Sequence, residues 1–260
     1  MFRLLYVNLR KLMNKIITVC INSTGRSVDL LKNSLMKNNH SDYSLLVIYE
    51  PNFWQNEDLI DWSDTEFNNI FEHKNINQHG STLNQYKGMS MAFENYNADA
   101  VVNLKEGLTL SPDCLDLANS MMNIMSDYDH GCVQGQLYFN SIEWGSSPFE
   151  VIKVHNGHSR NGSVVNSTQW YQYFKGTWMS GIHAGIWANR ELDGDEVMDK
   201  YMNLNAHLWS WAPSMSRIGD GRSPNLVTSK NPVNNYEFLN KHITLNRGDG
   251  GMSFADNSVS

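Results

Sequence analysis

The sequence lacks the long apolar run that a membrane-spanning helix needs. Its apolar stretches all fall short of ~18 uninterrupted residues. The opening segment, MFRLLYVNLRKLMNK, carries basic residues throughout and has no signal-peptide cleavage site. We therefore expect no membrane partner and a cytoplasmic location. Residues 1–14 are expected to form an N-terminal extension, either a short amphipathic helix or a poorly ordered segment before a second possible start at Met13.

Cysteine and basic residues are also scarce. The three cysteines, Cys20, Cys114 and Cys132, have no metal-type spacing and leave an odd one over, which favours a reducing compartment over a disulfide framework. The net charge of -7 argues against a broad nucleic-acid surface, because phosphate binding needs clustered Lys and Arg. Tryptophan, in contrast, is abundant. Its eight copies exceed what a core of this size usually needs, so we expect some to line a binding surface.

Apolar runs and helical stripes alternate along the first half of the chain. The predicted strands are KIITVCIN, YSLLVIYEP, ADAVVNL and HGCVQGQLYF. The predicted helices are SVDLLKNSLMKN, STLNQYKGMSMAFENYN and SPDCLDLANSMMNIMSDYD, with Ser27 and Ser111 as N-caps of the first and last. This order indicates an α/β fold with a mixed, mainly parallel sheet flanked by helices. Ligands of such folds bind beyond the carboxyl ends of the strands.

The second half gives weaker patterns. Residues 140–175 are polar and rich in Gly and Asn, which is typical of hairpins and loops. One helix is predicted in DGDEVMDKYMNLNAHLWSW, and residues 246–260 lack apolar periodicity, as a flexible tail does. We therefore expect a single domain over residues 15–245.

Four segments of the first half resemble, in order and spacing, one family. ITVCINSTGR, VIYEP, QHGSTLNQYKGMSMAF and ADAVVNLKEGLTLSPDCL resemble the nucleotide-binding half of GT-A (Rossmann-like) glycosyltransferases, nearest the N-acetylglucosaminyltransferase I type branch. TWMSGIHAGIWANRELDGDE and WAPSMSRIGDGRSPN are similar to the acceptor-side loop and closing strand of that family. The resemblance implies a nucleotide-sugar-binding half at 15–139 and an acceptor half at 140–245.

The resemblance also implies a donor site for a UDP-sugar. Arg26, in a Gly-containing loop before a helix N-terminus, suits a bidentate phosphate contact, although an ordinary turn with a solvent-facing arginine has the same pattern. Glu50 is expected to accept from a uracil N–H or ribose hydroxyls, and Asn84 and Lys87 share a helix face near the phosphates. The residues implied for this site are Asn22, Ser23, Arg26, Glu50, Gly80, Asn84, Lys87, Lys105, Glu106, Trp178, His183 and Arg217.

Three of these residues come from the second half of the chain. Trp178 suits stacking on a pyranose or a base, and His183 suits a hydroxyl or a metal. Arg217 is expected to contact the phosphates or the acceptor. For each of them, a purely structural role is the alternative.

The position of the family's metal ligand is occupied by glycine. In that family the last carboxylate of an acidic triplet binds Mn²⁺ or Mg²⁺, which neutralises the leaving diphosphate. Aligning Ser-Pro-Asp places Gly107 at that position. Glu106 could bind the cation one position early, or Lys105 could stabilise the diphosphate without metal. We favour weak or absent metal dependence. A degenerate site in a catalytically inactive nucleotide-sugar or glycan-binding module is the alternative.

An inverting transferase also needs a carboxylate that accepts the proton of the acceptor hydroxyl. In ELDGDEVMDK, Asp195 and Glu196 match the family's base best, although an acidic first turn of a helix has the same pattern, and a retaining enzyme needs no such base.

The implied function is the transfer of a monosaccharide to a glycan or another acceptor. The Asn-rich, single-domain sequence suggests a viral or phage enzyme by analogy, and therefore a hydroxymethylated base in DNA as a further acceptor. Tryptophans able to stack on such an extruded base are Trp170, Trp178, Trp209 and Trp211.

Overall fold

The computed structural model describes residues 13–22, 26–127, 131–138, 150–154, 162–180, 198, 201–202, 204–205, 207–213, 216–220, 242–245 and 251–255. None of the helices in these ranges combines the length and the apolar character that a bilayer crossing requires.

Ten of the described strands form one mixed sheet, and two short strands form a second sheet. The strands are β1 (Lys15–Ile21), β2 (Tyr43–Tyr49), β3 (Ile70–Lys74), β4 (Ala100–Lys105), β5 (Leu108–Leu110), β6 (Cys132–Gln136), β7 (Glu150–Val154), β8 (Ser163–Asn166), β9 (Trp209–Pro213), β10 (Ile218–Asp220), β11 (His242–Leu245) and β12 (Gly251–Ala255). The order of the large sheet is β11-β12-β7-β9-β6-β8-β4-β1-β2-β3, and β5 pairs with β10 in the small one.

Most strands of the large sheet run in one direction. Strands β1, β2, β3, β4, β6, β9 and β12 share it, and β7, β8 and β11 run the opposite way. The carboxyl ends of β1, β2, β3 and β4 therefore meet at one edge of the sheet, where parallel strands place their ligands.

Helices cover both faces of this sheet. They are α1 (Arg26–Leu35), α2 (Pro51–Trp54), α3 (Gly80–Ser90), α4 (Cys114–Asp127) and α5 (Ser167–Gln169). Helix α3 continues as a π-helical turn, Met91–Asn95, and α5 continues as a second one, Trp170–Phe174, followed by helix over 175–180. The apolar side chains of β1 alternate between a core formed with α1 and α4 and a core formed with α3 and the two π-helical turns. The predicted α/β class, with a mixed sheet between helices, is confirmed.

Helix α3 approaches the sheet closely at Gly88. A Cβ atom at this position would lie 3.3 Å from Cys20 Sγ and 3.4 Å from Ile48 Cγ1, so a larger residue would push the helix away from β1 and β2. Glycine therefore sets the distance between α3 and the strands whose ends carry the candidate site.

Several sequence-based predictions are wrong in the second half. Trp209, Ser210 and Trp211, the end of the predicted helix, instead belong to strand β9. The segment 140–175, assigned to hairpins and loops, also contains α5 and the π-helical turn that follows it. Gly251–Ala255, in the predicted flexible tail, forms β12 and pairs with β7. In the first half, β3 was missed because it is an edge strand with an exposed, mixed-polarity sequence.

Candidate active site

The candidate site lies where β1, β2 and β4 end. The backbone N–H of Glu50 donates to Ile21 O at 2.9 Å, and that of Glu106 donates to Cys20 O at 3.2 Å. These bonds extend the parallel ladder past the strand ends. The predicted convergence of the segments that begin at Asn22, Glu50 and Lys105 is therefore present in the structure.

A chain of hydrogen bonds joins the three strand ends. The Asn22 backbone N–H donates to the Glu106 carboxylate, and Asn84 Nδ2 donates to Asn22 Oδ1 at 3.0 Å. Asn75 Nδ2 donates both to Asn84 Oδ1 at 3.0 Å and to Glu50 Oε1 at 2.7 Å. We call these five residues the amide network. Neutral donors hold its two buried carboxylates. The free-energy cost of burying these carboxylates is small only while every hydrogen bond is made.

Glu50 anchors the network from inside the protein. Its side chain is fully buried, and Oε2 accepts the His79 backbone N–H at 2.7 Å. Direct contact with a uracil or a ribose, as predicted, does not fit this burial. Glu50 instead positions the segment between β3 and α3, which includes Asn75 and His79.

Lys87 supplies positive charge to the same region. Its Nζ donates to Asn75 Oδ1 at 2.7 Å. Burial lowers the pKa of Lys87, and the charge of Glu50 acts in the opposite direction. The pKa of His73 is also lowered, first by burial and then by the neighbouring Lys87 and His79. Lys87 therefore supplies the positive charge of a half-buried corner between β3 and α3 that also contains His73 and His79, and the lowered pKa of His73 works against a further positive charge there.

Two glycines have a left-handed backbone at the site. Gly80, the first residue of α3, has φ 78°, and Gly107, in the turn between β4 and β5, has φ 80°. An L side chain is strained in this region. The turn that begins after Lys105 therefore favours glycine at Gly107, the position that the sequence resemblance aligns with a metal ligand.

A ready-made metal centre is not found in the described part of the chain. No three His, Cys, Asp or Glu residues are arranged there to hold an ion. Glu106, the predicted ligand, is 5% exposed and accepts from the Asn22 backbone. Lys105, half-buried at the end of β4, lies next to it in the chain.

Arg217 does not belong to the site. Its side chain is fully buried, and its Nε donates to Asp113 Oδ2 at 3.0 Å. Its backbone N–H donates to Leu137 O, and its carbonyl accepts from the Ser111 backbone, both at 2.9 Å. The predicted contact with phosphates is therefore wrong. The Ser-Pro-Asp motif ties the start of α4 to the residue that precedes β10.

The tryptophans proposed as stacking surfaces are buried as well. Trp178 is 1% exposed and packs edge-on against Phe174, with ring centroids 5.7 Å apart. Trp170, Trp209 and Trp211 are also buried. The prediction that Trp178 stacks on a sugar, and that these rings receive an extruded base, is wrong because their apolar area packs in the two cores.

Four predicted site residues, Ser23, His183, Asp195 and Glu196, lie outside the described residues. Arg26 begins α1, but its side chain is outside the described part. Asn75 and His73 were not predicted at all. The missing signal was β3, because Asn75 follows the end of β3 as Asn22 follows β1.

Comparisons with known proteins give a partial likeness in structure. No family model and no curated protein sequence matches the chain. The apo form of the glycosyltransferase GlyE from Streptococcus pneumoniae TIGR4 aligns at 13% identity and a TM-score of 0.43, over 76% of this chain and 44% of GlyE. A structure of S. aureus TarS 1–349 aligns at 11% identity and a TM-score of 0.46, over 79% of this chain and 60% of that one. A second S. aureus TarS structure aligns at 12% identity and a TM-score of 0.49, over 79% of this chain and 36% of that one. The chain thus spans less than two thirds of each, and the likeness assigns no family.

Proposed function

We propose that this protein transfers a monosaccharide from a nucleotide sugar, a UDP-sugar, to the hydroxyl group of an acceptor. The observation that carries the proposal is the amide network. Two carboxylates and three asparagine amides are held at the carboxyl edge of the parallel strands, where apolar residues would be more stable. Folds keep such costly polar groups where a ligand uses the geometry they impose.

The network would present donors to the nucleotide. Asn22 uses its backbone N–H and its Oδ1 within the network, so its Nδ2, which bonds to none of the described residues, would donate to a ligand. Lys87 would attract the phosphates, and the backbone N–H groups at the start of α3 would add to this attraction. Glu50 would act only by positioning this segment.

In the reaction, the acceptor oxygen forms a bond to the anomeric carbon while the bond from that carbon to the UDP oxygen breaks. The proton of the acceptor hydroxyl goes to a carboxylate, for which Asp195 and Glu196 remain the candidates by resemblance. UDP leaves with an added negative charge. Lys105, at the end of β4, would stabilise that charge in place of the cation. Glu106 would hold Mn²⁺ or Mg²⁺ if one binds, and the ion would then neutralise the diphosphate.

The second candidate is a catalytically inactive nucleotide-sugar or glycan-binding module. Gly107 favours it, because glycine supplies no side-chain ligand where related enzymes hold a cation. The hydroxymethylated DNA base becomes a weaker acceptor than a glycan, since the tryptophans that favoured it are buried and the net charge is -7.

Turnover separates these candidates. Purified protein is incubated with a panel of UDP-sugars, with and without Mn²⁺, and UDP release is measured alongside UDP binding by calorimetry. We expect the protein to bind UDP and to release it slowly from a UDP-sugar. In Lys105→Met, the UDP affinity and the rate of UDP release should both fall at least about tenfold, the equivalent of one lost charge-assisted contact. Lys37→Met, at an exposed position on another surface, is the matched control. Binding without release indicates the inactive module. No binding of any UDP-sugar refutes the transferase and leaves only the glycan-binding form of the second candidate.

A further inference from the structure

The side chain of Asn75, the first residue after β3, lies between an ammonium and a carboxylate. It is 0% exposed. Its Nδ2 donates to Glu50 Oε1 at 2.7 Å and to Asn84 Oδ1 at 3.0 Å. Its Oδ1 accepts from Lys87 Nζ at 2.7 Å. The orientation of the amide is therefore fixed, with its oxygen toward the ammonium of Lys87 and its nitrogen toward the carboxylate of Glu50.

The backbone of Asn75 is held as firmly as its side chain. Its N–H donates to Tyr49 O at 2.9 Å, and its carbonyl accepts from Trp54 Nε1 at 3.0 Å. The residue is thus tied both to the end of β2 and to helix α2. Because all its polar atoms are bonded inside the protein, Asn75 acts on a ligand only through its neighbours.

The two charged neighbours of Asn75 do not pair with each other. Neither Lys87 nor Glu50 takes part in an ion pair between described residues. The fully buried Glu50 carboxylate accepts from Asn75 Nδ2 and from the His79 backbone N–H. Half-buried Lys87 carries three donors and has, within the described ranges, a single acceptor, Asn75 Oδ1. One neutral amide therefore separates the lysine from the carboxylate.

This separation matters because an ammonium attracts a carboxylate more strongly than it attracts an amide oxygen. The flexible four-carbon stem of a lysine would let Nζ turn to Glu50 if the amide were removed. Paired in that way, Lys87 would attract an anion weakly. With the amide in place, it keeps its charge and two donors for a ligand at the carboxyl edge of the sheet.

Lys87 is also a different contact from Lys105. Strand β3, which precedes Asn75, is three strands from β4, which ends at Lys105, and this corresponds to roughly 14 Å across the sheet. The two lysines therefore act on a bound anion from different sides, and changes at one should not depend on the other.

We propose that Asn75 is a positioning residue that holds the Lys87 ammonium apart from Glu50, so that Lys87 binds a phosphate group of the donor. This inference rests on the proposed function and identifies what keeps the charge of one phosphate contact unpaired. Asn75 itself does not touch the donor.

Three single variants test this role. Asn75→Ala removes the amide and lets Lys87 pair with Glu50. Asn75→Asp keeps the size of the side chain but gives Lys87 a carboxylate partner, and it decides the question if the alanine variant does not fold. Lys87→Met removes the charge itself. The matched control is Asn33→Ala, because Asn33 is an exposed asparagine of α1. UDP, inorganic pyrophosphate and uridine are the probes, titrated by calorimetry into the full chain.

We expect the affinity for UDP and for pyrophosphate to fall about tenfold or more in all three variants, as for the loss of one charge-assisted contact. Uridine affinity should not change, and Asn33→Ala should bind all three probes as the wild type does. Because Asn75 acts through Lys87, the double variant Asn75→Ala/Lys87→Met should bind UDP no more weakly than Lys87→Met alone. Asn75→Ala combined with Lys105→Met should instead show the product of the two losses.

Wild-type UDP affinity in both Asn75 variants overturns the inference. A multiplied loss in Asn75→Ala/Lys87→Met overturns it too, because Asn75 then acts independently of Lys87. The same holds if uridine affinity falls as much as UDP affinity, since Asn75 then only supports the fold of the site. A wild-type chain that binds pyrophosphate through Lys87 but does not bind UDP refutes the proposed function and leaves the inference standing. Binding of neither probe overturns both.

Discussion

Replacing Asn84 with leucine cuts the amide network at its centre. The variant removes the donor to Asn22 Oδ1 and one of the two acceptors of Asn75 Nδ2, both at 3.0 Å. Asn75 keeps its bond to Glu50, so the larger loss falls on Asn22. A buried polar group left without its partner costs about 1–3 kcal/mol. We therefore expect the free energy of unfolding to fall by about 3 kcal/mol, and the melting temperature by about 6–12 °C.

Urea unfolding followed by tryptophan fluorescence measures this change. The matched control is Asn56→Leu, because Asn56 is exposed and its amide makes only a local bond to Asn52 O at 3.0 Å. That variant should stay within about 0.5 kcal/mol of the wild type. UDP affinity should also fall in Asn84→Leu, since Asn22 loses the bond that orients its side chain. Equal stability of the two variants would refute the view that the network is a connected unit.

Three further perturbations follow from the described residues. Arg217→Met leaves the Asp113 carboxylate buried without its cation, so the free energy of unfolding in urea should fall by about 3–5 kcal/mol. The double variant with Asp113→Leu should recover part of that loss, and a further drop would contradict the ion-pair explanation. Gly107→Ala, at φ 80°, should cost about 1–2 kcal/mol in thermal unfolding, and a neutral result would exclude the left-handed turn. Burial raises the pKa of Cys20 and Cys114 far above their ordinary value of 9.0. Above pH 9 the unfolded chain therefore releases protons that the folded chain keeps, and stability should fall by about 1.4 kcal/mol per group for each pH unit. A flat profile in urea between pH 8 and 10.5 would contradict this.

The strands that carry the site were predictable because burial on both faces makes them apolar runs. Strands β1, β2 and β4 have this pattern, and the polar residue after each of them is visible in the sequence. Strand β3 reads Ile-Phe-Glu-His-Lys, because it lies at the edge of the sheet with alternate residues exposed. Because β3 was not predicted, the sequence analysis did not identify Asn75, the network residue with the most side-chain hydrogen bonds.

Charge and aromaticity were less informative than strand ends. Arg217 has the sequence context of a phosphate-binding arginine, yet its partner Asp113 lies 104 positions earlier, and no local pattern joins the two. Trp178 was assigned to a sugar because tryptophan is common at binding surfaces, but the same large apolar area also fills cores. Both side chains are buried partly by residues distant in sequence, Asp113 for Arg217 and Tyr86, with ring centroids 6.1 Å apart, for Trp178.

Two buried amides, Asn84 of α3 and Gln134 of β6, have opposite expected effects on stability. Asn84 makes all its side-chain bonds inside the protein, so an apolar replacement leaves partners unsatisfied and destabilises the fold. Gln134 has no partner among the described residues, so an apolar replacement removes an unmet cost and stabilises the fold. A protein selected only for stability would replace the second amide and keep the first. Opposite shifts of the melting temperature in Asn84→Leu and Gln134→Leu would therefore separate an amide that holds elements together from one that costs stability.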